Sequence, residues 1–163
     1  MITQQRLKQL LDYDPTTGIF TWKVRRGGSA KAGSVAGCKK FDGYNYIKID
    51  DKPCAAHRLA WLFIHGKFPN DQIDHINGVR DDNRIENLRD VDQFTNARNI
   101  AKRNDNTSGI TGVCWHKVRN KWESRINIDG RKLHLGLFDC KATASYVAKH
   151  FRRKNGFTIR HGN

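Results

Sequence analysis

Two adjacent side chains, Asp74 and His75, differ in chemistry in a way that suits hydrolysis. The carboxylate is a hard oxygen donor. The imidazole, with an unperturbed pKa of about 6.5, is largely neutral and basic at pH 7. In a strand, neighbouring side chains point to opposite faces. Asp74 can therefore hold a divalent cation while His75 reaches a water. Asn77-Gly78 is a type I′ turn signal and predicts a returning strand directly after it. The stretch 91–99 then predicts a helix that brings Asn96 back as a second oxygen ligand. An Asp/Asn site with open positions favours one Mg²⁺ (or Mn²⁺) ion, which keeps water and phosphate among its ligands.

The elements that must position these groups are short. Gly18–Val24 and Tyr44–Asp50 read as strands, with Asp51-Lys52 as a hairpin turn and 25–40 as a basic, glycine-rich loop. Leu59, Leu62 and Phe63 recur at helical spacing over 55–65, stopped by Gly66. Farther on, 111–116, 121–128 and 131–138 read as three strands. The second strand turns Trp122, Ser124, Ile126 and Ile128 inward. The third turns Leu133, Leu135 and Leu137 inward and Lys132 and His134 outward. Asp129-Gly130 is a two-residue hairpin signal. Ala144, Val147, Ala148 and Phe151 give a helix one apolar face. The fold class is α+β, with three antiparallel strands backed by one helix in the second part.

Composition narrows the partner. The 163 residues carry 30 Lys+Arg against 16 Asp+Glu, a net charge of +14. Residues 101–163 carry +10 of it. The polar stretch 101–109 reads as a linker, which places the boundary near 104: one domain over 1–104, a second over 105–163. Leu, Ile, Val and Phe make up 23% of the chain, above the roughly 20% below which so charged a chain stays disordered. No apolar run approaches the roughly 18 residues that would cross a bilayer, and the first residues do not read as a secretory signal. The cysteines Cys38, Cys54, Cys114 and Cys140 form no CxxC pair. They fit a reducing, cytoplasmic setting with no structural zinc, Cys114 and Cys140 as small apolar groups. The default partner is a polyanion, nucleic acid ahead of an acidic membrane, with no small-molecule substrate expected. Lys39-Lys40 and Arg152-Arg153-Lys154 are candidate phosphate contacts.

Asp74-His75, Asn87 and Asn96, with His57-Arg58-Leu59-Ala60-Trp61 upstream and Asn87-Leu88-Arg89 between, resemble the HNH or ββα-metal finger of phage and intron-encoded homing endonucleases. The resemblance covers 44–99 well and 13–43 more loosely. It implies His75 as general base, Asp74 and Asn96 as ligands of one metal, and Asn87 as the residue that bonds backbone across the finger and orients the base. Asn stands where many relatives have the final His, and Asn99 competes with Asn96 for that role. The second part, through Ser108–Val113, Lys121-Trp122, Leu135–Phe138 and Ala142–Tyr146, resembles an AP2 DNA-binding domain. That resemblance implies a sheet laid in the major groove, with His116, Arg119, Lys121, Arg125, Arg131, Lys132 and His134 as contacts.

Together these readings predict a metal-dependent endonuclease that cuts duplex DNA, acting as a monomer or weak dimer in a bacterial or phage-infected cell. The rival reading is a non-enzymatic DNA-binding regulator with an inactive HNH domain.

Overall fold

The computed structural model describes residues 2–27, 30–99, 102, 104–158 and 161. Ala101 and Arg103, in the predicted linker, and Gly28, in the glycine-rich loop, lie outside them. The chain divides into two compact units, 1–93 and 94–163, earlier along the sequence than the polar stretch at 101–109.

The first unit is built of hairpins around two helices. Helix α1 (Gln4–Leu10) starts at Thr3, whose hydroxyl accepts from the Arg6 amide, and it buries Leu7 and Leu10. It runs into strand β1 (Leu11–Asp14), which pairs antiparallel with β2 (Ile19–Trp22). The Asp14 carboxylate closes their turn by accepting from Thr16 and Thr17. Gly18 follows at φ +74°, where a Cβ would meet the backbone of Asn83 and Arg84 at 2.5 Å. That turn therefore packs directly under the loop that carries the site, and only glycine fits there.

Strands β3 (Cys38–Lys39), β4 (Asn45–Ile49) and β5 (Lys52–Ala55) form an antiparallel sheet in the order β3-β4-β5. The β4–β5 turn is Asp50-Asp51, both with positive φ, one residue earlier than the predicted Asp51-Lys52. Helix α2 (Ala56–His65) buries Ala56, Leu59, Ala60 and Leu62 and ends at Gly66 in the left-handed region. Strands β6 (Gln72–His75) and β7 (Leu88–Val91) make the last pair. One core joins these pieces: Leu7, Leu11, Ile47 and Leu59 are fully buried, and Ile73 and Leu88 anchor β6 and β7 to it. Truncating such a side chain, as in Leu59→Ala, costs about 2–5 kcal/mol.

The predicted tight hairpin at Asn77-Gly78 does not form. Gly78 does take a positive φ, and the Asn77 side chain accepts from the Val79 amide. The chain then loops out, passes through a single 3₁₀ turn (Ile85–Asn87) and pairs only at Leu88. The helix predicted over 91–99 is also shorter: Val91 stays in β7, and α3 spans Gln93–Ala97, beginning at the division between the units.

The second unit holds strands β8 (Val113–His116), β9 (Lys121–Ile128) and β10 (Arg131–Phe138) in the order β10-β9-β8, with helix α4 (Lys141–Lys154). Three antiparallel strands and one helix thus stand as predicted, around a small core of Val113, Ala144 and Ala148 flanked by Trp122 and Phe138. The predicted inward set of β10 is corrected. A register shift between His134 and Gly136 makes Leu135 an extra residue, and this flips the alternation. Phe138, opposite Trp122, joins the core, while Leu133 is half exposed.

Cys140 is exposed instead of buried, and its sulfur accepts from the Thr143 amide as the N-cap of α4. Arg152 is buried and donates to the carbonyls of Ala148, His161 and Thr111, so its guanidinium is scaffold and not a phosphate contact. No described helix is long and apolar enough to cross a membrane.

Candidate active site

His75 ends β6, paired with Leu88, and is 4% exposed. Burial pushes its pKa below the ordinary imidazole value, against the opposing pull of Asn83 and of Asp74, Asp82 and Asp81. The ring is walled on two sides. His57 stands edge-on with centroids 5.2 Å apart, and Tyr44 lies at 5.8 Å. His57 itself is pushed down to about 4, chiefly by burial, and its Nδ1 is buried without a hydrogen-bond partner.

The tautomer of His75 follows from Asn83. Asn83 is 2% exposed, and its Nδ2 donates to the Asp81 carbonyl, which fixes the orientation of the amide. Its Oδ1 then faces His75 Nε2 at 3.4 Å. An amide oxygen only accepts, so this contact favours the tautomer with the proton on Nε2 and the basic lone pair on Nδ1. Asn83 is held in turn by Tyr13, whose hydroxyl donates to its backbone carbonyl at 2.7 Å.

Asn87 braces the loop from beneath. Its Oδ1 accepts from the Asn77 amide at 2.9 Å, its Nδ2 donates to the Asp82 carbonyl at 2.9 Å, and its backbone carbonyl accepts from Ile76. Both arms of the long β6–β7 connection are thus tied to one buried amide. Asp82 adds a second knot: it takes Arg84 and the Asn77 side chain, and the guanidinium holds its carboxyl down at about 2.

Asp74 is 6% exposed and faces away from His75, as strand alternation requires. Arg89, opposite it on β7, donates Nε at 2.9 Å and Nη2 at 2.7 Å to the same oxygen, Oδ2. A cation at Asp74 would share the carboxylate with the Arg89 guanidinium or displace it. The donor chemistry fits a hard cation, and the site already balances one buried carboxylate with one positive charge. Among the described residues no three His, Cys, Asp or Glu side chains converge as a metal cluster.

Asp74, His75 and Asn87 lie together in the first unit, while Asn96, half-buried on α3, belongs to the second. Asn99 is 2% exposed, and its Oδ1 accepts from the Thr158 hydroxyl at 2.8 Å, a structural bond within the second unit. Sequence reasoning missed Asn83, Tyr44 and Arg89. Only Arg89 had a signal, its register opposite Asp74 in a β6–β7 pair.

The outward face of the second unit's sheet carries His116, Lys121, Arg125, Lys132 and His134, as the register shows. Arg119 lies in the β8–β9 turn, its amide bonded to His116. Arg131 pairs with Ile128, on the other side from Lys132, and is exposed at the strand end. Among the described residues two of these groups form ion pairs: Lys121 with Asp139 at 3.0 Å, and His134 with Glu123 at 3.1 Å.

Comparison with known proteins bears on the first of these regions. The chain is 27% identical over 101 residues to "Protein 3.8" of Escherichia phage T7, an alignment covering 61% of this chain and 84% of that protein. No solved structure matches. Residues 54–98, which contain the His75 site with Asn83, Asn87 and Arg89, match the family model of HNH endonucleases.

Proposed function

We propose that the chain is a Mg²⁺- or Mn²⁺-dependent endonuclease of the homing type that hydrolyses phosphodiester bonds in duplex DNA. One observation carries the reading: a buried, neutral imidazole whose Nε2 is turned toward an acceptor, within a segment that matches HNH endonucleases. His75 Nδ1 accepts a proton from a water, and the hydroxide attacks the scissile phosphorus in line. The P–O3′ bond breaks, the departing 3′ oxygen takes a proton from solvent, and the products are a 5′-phosphate and a 3′-hydroxyl. Asn83 keeps the proton on Nε2, Asn87 holds the loop that presents the ring, and His57 and Tyr44 restrict its rotation. Asp74 would hold the cation, which when bound supplies charge neutralisation at the phosphate and the departing 3′ oxygen. The second unit is the AP2-like DNA-binding part, and its charge gives affinity and register through phosphate contacts. With one finger per chain, a monomer nicks.

The test uses supercoiled plasmid carrying a randomised insert, with Mg²⁺ or EDTA. The wild type converts it to open circles only with metal. His75→Ala is slower by about 10²–10⁴-fold, the usual worth of a general base. Equal nicking by His75→Ala rejects the base assignment.

The Arg89–Asp74 pair favours a second reading, a non-enzymatic DNA-binding regulator, because the guanidinium already neutralises the carboxylate. Specific DNA binding by the wild type with no metal-dependent nicking selects it.

A further inference from the structure

The tip between β3 and β4, 40–43, holds a phenylalanine fully in solvent: Phe41 is 103% exposed. A ring left entirely in water on a loose loop would be unremarkable. This tip is braced. The amides of Lys40 and Gly43 donate to the carbonyls of Tyr44 and Lys40, each at 2.9 Å. The Asp42 carboxylate accepts from the Tyr44 amide and the Tyr46 hydroxyl. Arg80 reaches across from the β6–β7 loop and donates to the Asp42 carbonyl at 2.7 Å.

The surroundings are cationic. Lys40 Nζ lies 5.0 Å over the Tyr46 ring and the Arg80 guanidinium 5.2 Å over the Tyr44 ring. Neither forms an ion pair among the described residues, whereas Lys39 is held by Asp81. The tip is also tied to the candidate base. Tyr44 packs on His75, and three residues of chain, at most about 10 Å, separate it from Phe41. The neighbouring loop leaves Ile76 and Val79 about half exposed.

We propose that Phe41 is a wedge that enters a base-pair step of duplex DNA next to the phosphate attacked at His75, while Lys40 and Arg80 bind the flanking phosphates. Apolar side chains delivered on a rigid element unstack such a step and kink the duplex. Charge complementarity selects the occupant: a protein surface would have to match two unpaired cations beside the ring, and DNA does so at every step. Pyrimidine–purine steps deform most readily, so the wedge biases cutting toward TA and CA/TG steps. The inference rests on the DNA-directed reading above.

Wedging unwinds DNA, and unwinding can be read without catalysis. Relaxed plasmid is incubated with the full chain in EDTA and a type IB topoisomerase, which needs no metal; the topoisomer shift per bound protein is measured after deproteinisation. The wild type is expected to shift the distribution. Phe41→Ala should lose the shift by about threefold or more and Phe41→Leu, still an apolar wedge, should retain it. Filter binding of the same plasmid corrects each value for occupancy. An equal shift by Phe41→Ala, or no shift by the wild type, overturns the wedge. Nicking in Mg²⁺ is scored separately: a Phe41-dependent shift without nicking leaves the wedge standing and rejects the nuclease, and nicking with a Phe41-independent shift does the reverse.

Discussion

Asn83 Oδ1 stands 3.4 Å from His75 Nε2, and the same residue's carbonyl takes the Tyr13 hydroxyl. One buried asparagine thus sets the tautomer of the candidate base with its side chain and anchors the loop with its backbone. Asn83→Ala removes the side-chain contacts, to His75 and to the Asp81 carbonyl, and keeps the backbone anchor, because alanine keeps the carbonyl. The variant should fold, bind DNA as the wild type does and nick about tenfold or more slowly, within the range for a residue that orients a reacting group. Single-turnover nicking beside DNA binding measures this; an unchanged rate removes Asn83 from the site.

Arg89 presents a sharper test of the metal proposal. Arg89→Met takes the guanidinium away from the buried Asp74 carboxylate, which should destabilise the metal-free protein by about 3 kcal/mol. If Asp74 holds a cation, Mg²⁺ or Mn²⁺ replaces the lost charge. The rise in Tm on adding metal should then be larger in Arg89→Met than in the wild type. Equal rises, or none, mean that Asp74 is a partner of Arg89 and no ligand.

How far the sequence shows these relationships depends on their range. The hairpins of the second unit were legible because alternation in β9 and Asp129-Gly130 are local signals. The bulge at Leu135 was not: an extra residue leaves the apolar pattern intact and changes only which side chains face the helix. In the first unit Asp74-His75 announced itself by chemistry. Asn83 did not, since an asparagine among Asp81, Asp82 and Arg84 reads as an ordinary polar loop. Its role exists only once Tyr13, on a strand seventy residues earlier, reaches its carbonyl. Asn77-Gly78 misled for a related reason. Asn87 captures the Asn77 amide and the Asp82 carbonyl, so tertiary bonds override the local turn preference.

Asn87 is therefore expected to act through the loop. Asn87→Ala leaves two backbone groups without their partner, each worth about 1–3 kcal/mol where buried. Amide exchange at Asn77 should accelerate and nicking should fall. Asn87→Asp keeps an acceptor for Asn77 but sets a carboxylate against the Asp82 carbonyl, so it should not rescue. Full activity of either variant would separate Asn87 from the site.

His57 predicts an acid sensitivity of the fold. Its folded pKa, about 4, lies below the unfolded value of about 6.5, so the unfolded chain binds the extra proton. The contribution of the neutral ring is fully present above pH 6.5 and is lost as pH falls toward 4, up to about 3 kcal/mol. His57→Phe, which keeps an aromatic ring against Tyr44 and His75, should flatten the urea midpoint between pH 7 and pH 4.5. Some slope remains, because burial lowers His75 and His161 in the same direction. Asp82, held near 2, titrates below this window. Identical slopes in the two proteins would contradict a buried neutral His57.

The second unit separates its cations by what already holds them. Arg125 and Lys132 project from the polar face of the sheet and form no ion pair among the described residues, whereas Lys121 is tied to Asp139 and His134 to Glu123. A cation that leaves a carboxylate to meet a phosphate exchanges one ion pair for another and releases less net binding energy. Arg125→Ala and Lys132→Ala should each lower the slope of log affinity against log salt by about one contact's worth, roughly 0.9. Lys121→Ala should change it less, and Asp139→Asn, which frees Lys121, should steepen it. Salt titration of duplex binding by the four variants gives the ranking; if Lys121→Ala costs as much as Lys132→Ala, the Asp139 pair does not persist on DNA.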